Sequence, residues 1–186
     1  MRRAVLLLFA LALVAPLARA SAPMTPVWIV NDAAKQTASM SVLAGWNGNN
    51  GAWNYNGWHT GGLTVEVPLG WTILIDFKSQ DAEVPHSLVV TKHYEQDQMP
   101  TELTGQDAAL PRAYSKSPNV GQIPQDGADQ LRFKARAVGT YMWACGVPSH
   151  LLTGMWINFV VKDGLTAAQV YVNEGAVPKD DQPGYL

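Results

Sequence analysis

The chain contains a single cysteine, Cys145, among 186 residues. One cysteine excludes any disulfide within the chain, so it must fill a core, bridge to another chain or do chemistry. Charge is also scarce: Asp, Glu, Lys and Arg make up 15%, against about 25% in an average soluble domain. The basic residues are too few and too scattered to neutralise a phosphate backbone, which argues against nucleic acid as a partner. Heptads and the helix-forming bias of a coiled coil are missing, and at 47% hydrophobic residues the chain is too apolar to be disordered. After residue 20 no run is long and apolar enough to span a bilayer. What is abundant is Gly (16), Pro (12) and Trp (7), the composition of a loop-rich globular protein of about one domain's length.

The only long apolar run lies at the start, in MRRAVLLLFALALVAPLARA. Arg2 and Arg3 precede the apolar stretch Ala4 to Ala15, and Ala18-Arg19-Ala20 supplies an A-x-A cleavage site before Ser21. These parts, in this order, read as a secretory signal over 1–20. The run falls short of the roughly 18 residues a spanning helix needs, and Pro16 interrupts it. Cleavage would remove Arg2, Arg3 and Arg19, leaving 10 basic against 15 acidic residues, a net charge of −5. The expected location is therefore the periplasm or the outer face of the cytoplasmic membrane, with residues 21–186 as one domain.

Beyond the signal, β character dominates. Short runs rich in β-branched, aromatic and aliphatic residues fall at 27–30, 38–43, 63–67, 71–77, 87–91, 131–135, 140–144 and 155–161, separated by Gly, Pro, Asn and Asp. Seven or eight such strands predict a β-sandwich or barrel. Leu63-Thr64-Val65-Glu66-Val67 alternates as a half-buried strand should. Leu165, Ala168 and Val172 share one face if 164–174 is a short helix. Residues 45–62 hold six Gly, five Asn and three Trp; the spaced aromatics predict an ordered loop covering the sandwich rather than a linker. Residues 92–130 read as a long polar insertion between strands, with at most one short helix and no chemistry of its own.

The chemistry concentrates in TYMWACGVPSHLLTGMW at 140–156. Cys145 sits where a strand runs out into a loop, His150 follows five residues on, and Met155 five further. A second histidine, His86, stands at the mouth of another strand in Val84-Pro85-His86-Ser87. Any one of these residues alone is more readily core filling or surface. Two imidazoles, a thiolate and a thioether together are the donor set of a mononuclear blue copper site. The first three ligands are trigonal, and the thioether is long and axial. Ser87 is placed to hydrogen-bond across the ligand loops, or to cap its strand, and Gly146 and Val147 to present N–H groups to the thiolate. Pro148, Leu151 and Leu152 would ring His150 with apolar surface, a docking patch for a partner. His59 and His93, the remaining histidines, read as surface residues. Two histidines cannot supply a further three-histidine copper, and one cysteine cannot build a binuclear copper centre, so a copper enzyme is disfavoured. The alternative function is a periplasmic copper-binding or delivery protein, which would show exposed Met or His clusters.

On these residues the chain resembles the cupredoxins, and Cys145-x4-His150-x4-Met155 is similar to the ligand loop of the sulfocyanin group. The likeness extends to Trp46-Asn47-Gly48-Asn49-Asn50-Gly51, Trp53-Asn54-Tyr55-Asn56-Gly57, Val67-Pro68-Leu69-Gly70-Trp71 and His86-Ser87, and so covers most of 38–161. It implies an all-β, Greek-key β-sandwich binding one copper through His86, Cys145, His150 and Met155. It also implies one-electron transfer between respiratory-chain proteins such as a cytochrome or an oxidase, with no substrate. Archaeal members of the group carry a membrane anchor, where this chain reads as having a cleavable signal.

Overall fold

The computed structural model describes residues 21–173; the signal expected at 1–20 lies outside them. Among the described residues nine strands form two sheets. One has the order β1 (Ile29–Asp32), β2 (Thr37–Ala44), β4 (Thr72–Ser79) and β6 (Asp129–Lys134). The other runs β5 (Val89–Lys92), β7 (Gly139–Ala144), β8 (Trp156–Lys162), β3 (Leu63–Pro68) and β9 (Gln169–Val172). β2 pairs with β4 and β3 with β8 in parallel, and the remaining ladders are antiparallel. All eight strands expected from the sequence form. In β2 and β4 residues alternate in and out, as Ala38, Met40 and Val42 and then Ile73, Ile75 and Phe77 turn inward. Between the sheets Phe159 stacks on Trp143 at 5.5 Å and meets Phe133 edge-on at 6.1 Å. Aromatic pairs of this kind add about 0.5–1.5 kcal/mol each beyond the area they bury.

The ninth strand corrects the expected helix at 164–174. Gln169-Val170-Tyr171-Val172 is β-branched and aromatic, and it pairs antiparallel with Leu63–Glu66 along an edge of β3 that would otherwise be open. Satisfying that row of backbone groups outweighs a chance helical spacing. The same pairing corrects the reading of β3 as half-buried, since all six of its residues are buried. Its two polar side chains are matched: Thr64 donates to Asn173 Oδ1 at 3.1 Å, and Glu66 accepts from Gln169 Nε2 at 2.7 Å.

The segment between β5 and β6 holds three short 3-10 turns, Gln96–Gln98, Gly105–Asp107 and Pro124–Asp126, rather than one helix. It doubles back along β5 and its approach. Val90 N–H donates to Ala113 O (2.8 Å), Ser115 N–H to Leu88 O (2.8 Å), and His86 and Gln122 exchange both backbone bonds (2.9 and 2.7 Å). The edge strand β5 is thereby covered, which removes a template for pairing with another chain.

Candidate metal centre

β7 and β8 are paired up to Ala144↔Trp156, so Cys145 and Met155 face each other across the end of the ladder. Cys145 N–H donates to Met155 O at 3.1 Å and Met155 N–H to His150 O at 2.9 Å, closing the loop. Ser149 takes a left-handed φ of 72°, an uncommon state for a residue with a side chain. Around that bend His150 turns in toward Cys145, its Nδ1 3.4 Å from Sγ. His86 arrives from the approach to β5. One donor atom each from His86, Cys145 and His150 lies within 4.8 Å of the others, and all three residues are buried. Met155, tied to Cys145 and His150 by those backbone bonds, is fully buried in the main core.

Ser87 braces the centre. Its N–H points at Cys145 Sγ at 3.4 Å and its hydroxyl lies 3.6 Å from the same sulfur. That hydroxyl also accepts from Gly146 N–H at 2.8 Å, so the Gly146 amide serves Ser87 and not the thiolate as expected. The bond across the two loops carries out the bracing role over the capping one. Val147 does direct its N–H toward the sulfur. The phenol of Tyr55, from the Trp- and Asn-rich loop, donates to Ser87 O at 2.6 Å and faces Cys145.

The electrostatics favour neutral imidazoles. Burial pushes the His86 pKa down, opposed by the Asp81 carboxylate 3.5 Å from Nε2. Burial, assisted by a charge on His86, takes His150 down to about 4. Burial raises the Cys145 thiol, and the hydrogen bonds from Ser87 and Val147 pull it back. Both ring nitrogens of His86 are buried; Nε2 has only the long 3.5 Å contact with Asp81, and Nδ1 has no hydrogen-bond partner. Buried polar atoms are rarely left so, and a metal ion satisfies such a nitrogen. Two imidazoles and a sulfur are the donors copper takes in a trigonal site, so the residues present fit a copper ion.

Two further segments fix the centre, and one of them was expected to be idle. In the 92–130 segment, Leu103 N–H donates to Gly146 O (3.0 Å), and Thr101 O accepts from Ser149 N–H (2.8 Å). Gly121 holds φ 79°, where a Cβ would fall 2.7 Å from Val147 Cγ2 and 3.0 Å from His86 N. Only the buried apposition of chain segments reveals this, since nothing in the polar composition signals it. The loop 45–62 is ordered over the sandwich as expected, with Asn54, Tyr55, Asn56 and Trp58 buried.

Of the expected docking residues, Pro148 is exposed and Leu152 is 47% exposed, but Leu151 is fully buried against Val89, Leu103 and Met142 and is no part of a surface. The turn that carries His150 inward takes the next residue inward as well. His93 is exposed, edge-on to Trp156 at 6.2 Å. His59 is half-buried, not fully at the surface, with Nδ1 3.0 Å from Thr60 Oγ1.

The sulfocyanin (SoxE) domain model matches residues 25–172. Sulfocyanin of Sulfolobus acidocaldarius is 24% identical over 140 residues, covering 74% of this chain and 70% of that protein. Among solved structures, a rusticyanin is similar with a TM-score of 0.50 at 21% identity, covering 68% of this chain and 78% of that one. An auracyanin from Roseiflexus castenholzii is similar at 0.47 and 24% identity, covering 67% and 96%. With the family match and the rusticyanin likeness, the two-sheet architecture is a cupredoxin β-sandwich. The chain belongs to the sulfocyanin family of cupredoxins, blue copper proteins that bind one copper and transfer electrons rather than catalyse a reaction.

Proposed function

We propose that this chain is an exported one-electron carrier between protein partners of a respiratory chain, with His86, Cys145, His150 and Met155 as its copper ligands. The observation that carries the reading is the buried His86–Cys145–His150 cluster with His86 Nδ1 left without a hydrogen-bond partner. Copper, when bound, supplies the one-electron couple. The protein's part is rigidity. Ser87 holds Cys145 and Gly146, the His86–Gln122 backbone pair holds one imidazole, and the turn at Ser149 holds the other. Groups that cannot relax keep the reorganisation on electron transfer small. The buried donors also suit retention over delivery, which favours exposed ligands. Pro148 and Leu152 are the exposed apolar residues of the ligand loop and form the docking face, without the buried Leu151. The signal pattern read at 1–20 supports a location outside the cytoplasm.

Adding Cu(II) to the purified chain is expected to give the intense visible absorption of sulfur-to-copper charge transfer, retained against a mild chelator. Folded protein without that band overturns the copper reading, and ready loss of the metal points to delivery. Leu152→Lys is expected to slow reduction by a partner while leaving the band unchanged; an altered band with unaltered transfer removes the docking face. N-terminal sequencing of the secreted or periplasmic fraction is expected to begin at Ser21. Intact residues 1–20 in a cytoplasmic fraction would reject export.

A further inference from the structure

The Trp- and Asn-rich loop 45–62 reaches the metal centre with two aromatic side chains, Tyr55 beside Ser87 and Cys145 and Trp53 beside His150. The indole of Trp53 lies on the imidazole of His150, ring centroids 4.7 Å apart and planes 18° from parallel. His86 stands 5.2 Å from His150, tilted by 56°. The His150 ring is thus contacted by Trp53 and by His86, and His150 is only 4% exposed.

The placement of Trp53 is built. The Asn50 side-chain amide donates both to Trp53 O and to Thr153 O, each at 3.0 Å. The Thr153 hydroxyl donates in turn to His150 O at 3.0 Å. Thr60 N–H donates to Gly154 O at 2.8 Å, a second tie between the loops. Just before Trp53, three successive residues adopt left-handed backbone: Asn50 (φ 54°), Gly51 (φ 65°) and Ala52 (φ 71°). Glycine takes this state freely, but alanine does so only under constraint, and such constraint gathers at functional sites. The constrained turn delivers an indole to the face of a candidate ligand.

We propose that Trp53 is a positioning residue for His150: its stacked indole fixes the plane of the imidazole and keeps water off that face, so the ligand does not swing when the charge of the centre changes. This rests on the reading of His150 as a copper ligand. Trp53 is neither oxidised nor reduced, and the electron passes only between the metal and the protein partner. Removing the ring frees the imidazole to rotate and lets water approach. Water stabilises the more highly charged oxidised state, and the apolar shell of a metal site sets its potential in this way.

The test uses three variants of the full chain: Trp53→Phe, which keeps a ring, Trp53→Leu, which keeps apolar bulk without one, and Trp53→Ala. In metal-free protein, NMR of the His150 ring protons reads the stack through the ring current. The upfield displacement is expected to persist in Trp53→Phe and vanish in Trp53→Leu and Trp53→Ala. In the copper-loaded protein, Trp53→Leu and Trp53→Ala are expected to lose potential and to exchange electrons with themselves several-fold more slowly, with Trp53→Phe near the parent. Should Trp53→Ala fail to fold, Trp53→Leu carries the comparison. A Trp53→Leu protein matching the parent in potential and exchange rate overturns the proposal, as does an unshifted His150 resonance in the parent. The NMR arm needs no metal, and the absorption of the parent with Cu(II) tests the copper reading separately.

Discussion

Cys145 illustrates how much of a site's chemistry rests on groups that are not ligands. Its sulfur is buried, which alone would favour the neutral thiol, and donors from Ser87 and Val147 offset that cost. Cys145→Ser is expected to abolish the visible band, because a hydroxyl has no sulfur to donate charge. Met155→Leu is expected to keep the band and raise the reduction potential, since losing the weak thioether favours Cu(I); voltammetry checks this. Ser87→Ala strands the Gly146 N–H now donated to the hydroxyl. An orphaned buried donor costs about 1–3 kcal/mol, a loss readable in urea unfolding of the metal-free protein.

At the scale of the elements, the ligand loop between β7 and β8 owes its shape to two neighbours far away in sequence. The segment 92–130 clamps it at Gly146 and Ser149, and the loop 45–62 clamps it at Thr153 and Gly154. Gly146 marks how tight the first clamp is, because a Cβ there would meet Leu103 O at 2.5 Å and Pro118 O at 2.9 Å. Those are backbone atoms and cannot rotate away. Gly146→Ala is therefore expected to destabilise the fold by about 1–3 kcal/mol, the range for overpacking a filled interior. It should also broaden or shift the charge-transfer band, as the loop moves off Leu103. An unaltered band with unaltered unfolding would show that the clamp is slack. The strands themselves were legible, because β-branched and aromatic runs between Gly, Pro and Asn report locally. The clamps were not, since hydrogen bonds such as Ser149 N–H to Thr101 O join residues with no shared pattern.

For the molecule as a whole, the metal centre ties stability to pH and to the metal. His150 is pushed down to about 4 and His86 also lies below the ordinary imidazole value of 6.5. In the unfolded chain both bind a proton near that ordinary value, so below it the unfolded state holds more protons than the folded one. Stability of the metal-free protein is then full above about 6.5 and falls as pH drops toward about 4. Thermal unfolding of the metal-free chain across that window is expected to show a steadily falling midpoint, and the variant His150→Gln a shallower one. Copper bound only by the folded state adds stability, about 2.7 kcal/mol at a hundredfold excess over its dissociation constant.

By itself the sequence determined the class of fold and the candidate donor set. Each depends on residue type and short-range spacing: alternation for strands, and Cys145-x4-His150-x4-Met155 for the loop. Tertiary structure alone decided that Gln169–Val172 is a strand, that Leu151 is buried, that the Gly146 amide belongs to Ser87, and that Trp53 lies on His150. Those outcomes turn on which unsatisfied edge, cavity or ring face a segment meets once the two sheets close. A partner more than fifty residues away leaves no imprint on local pattern.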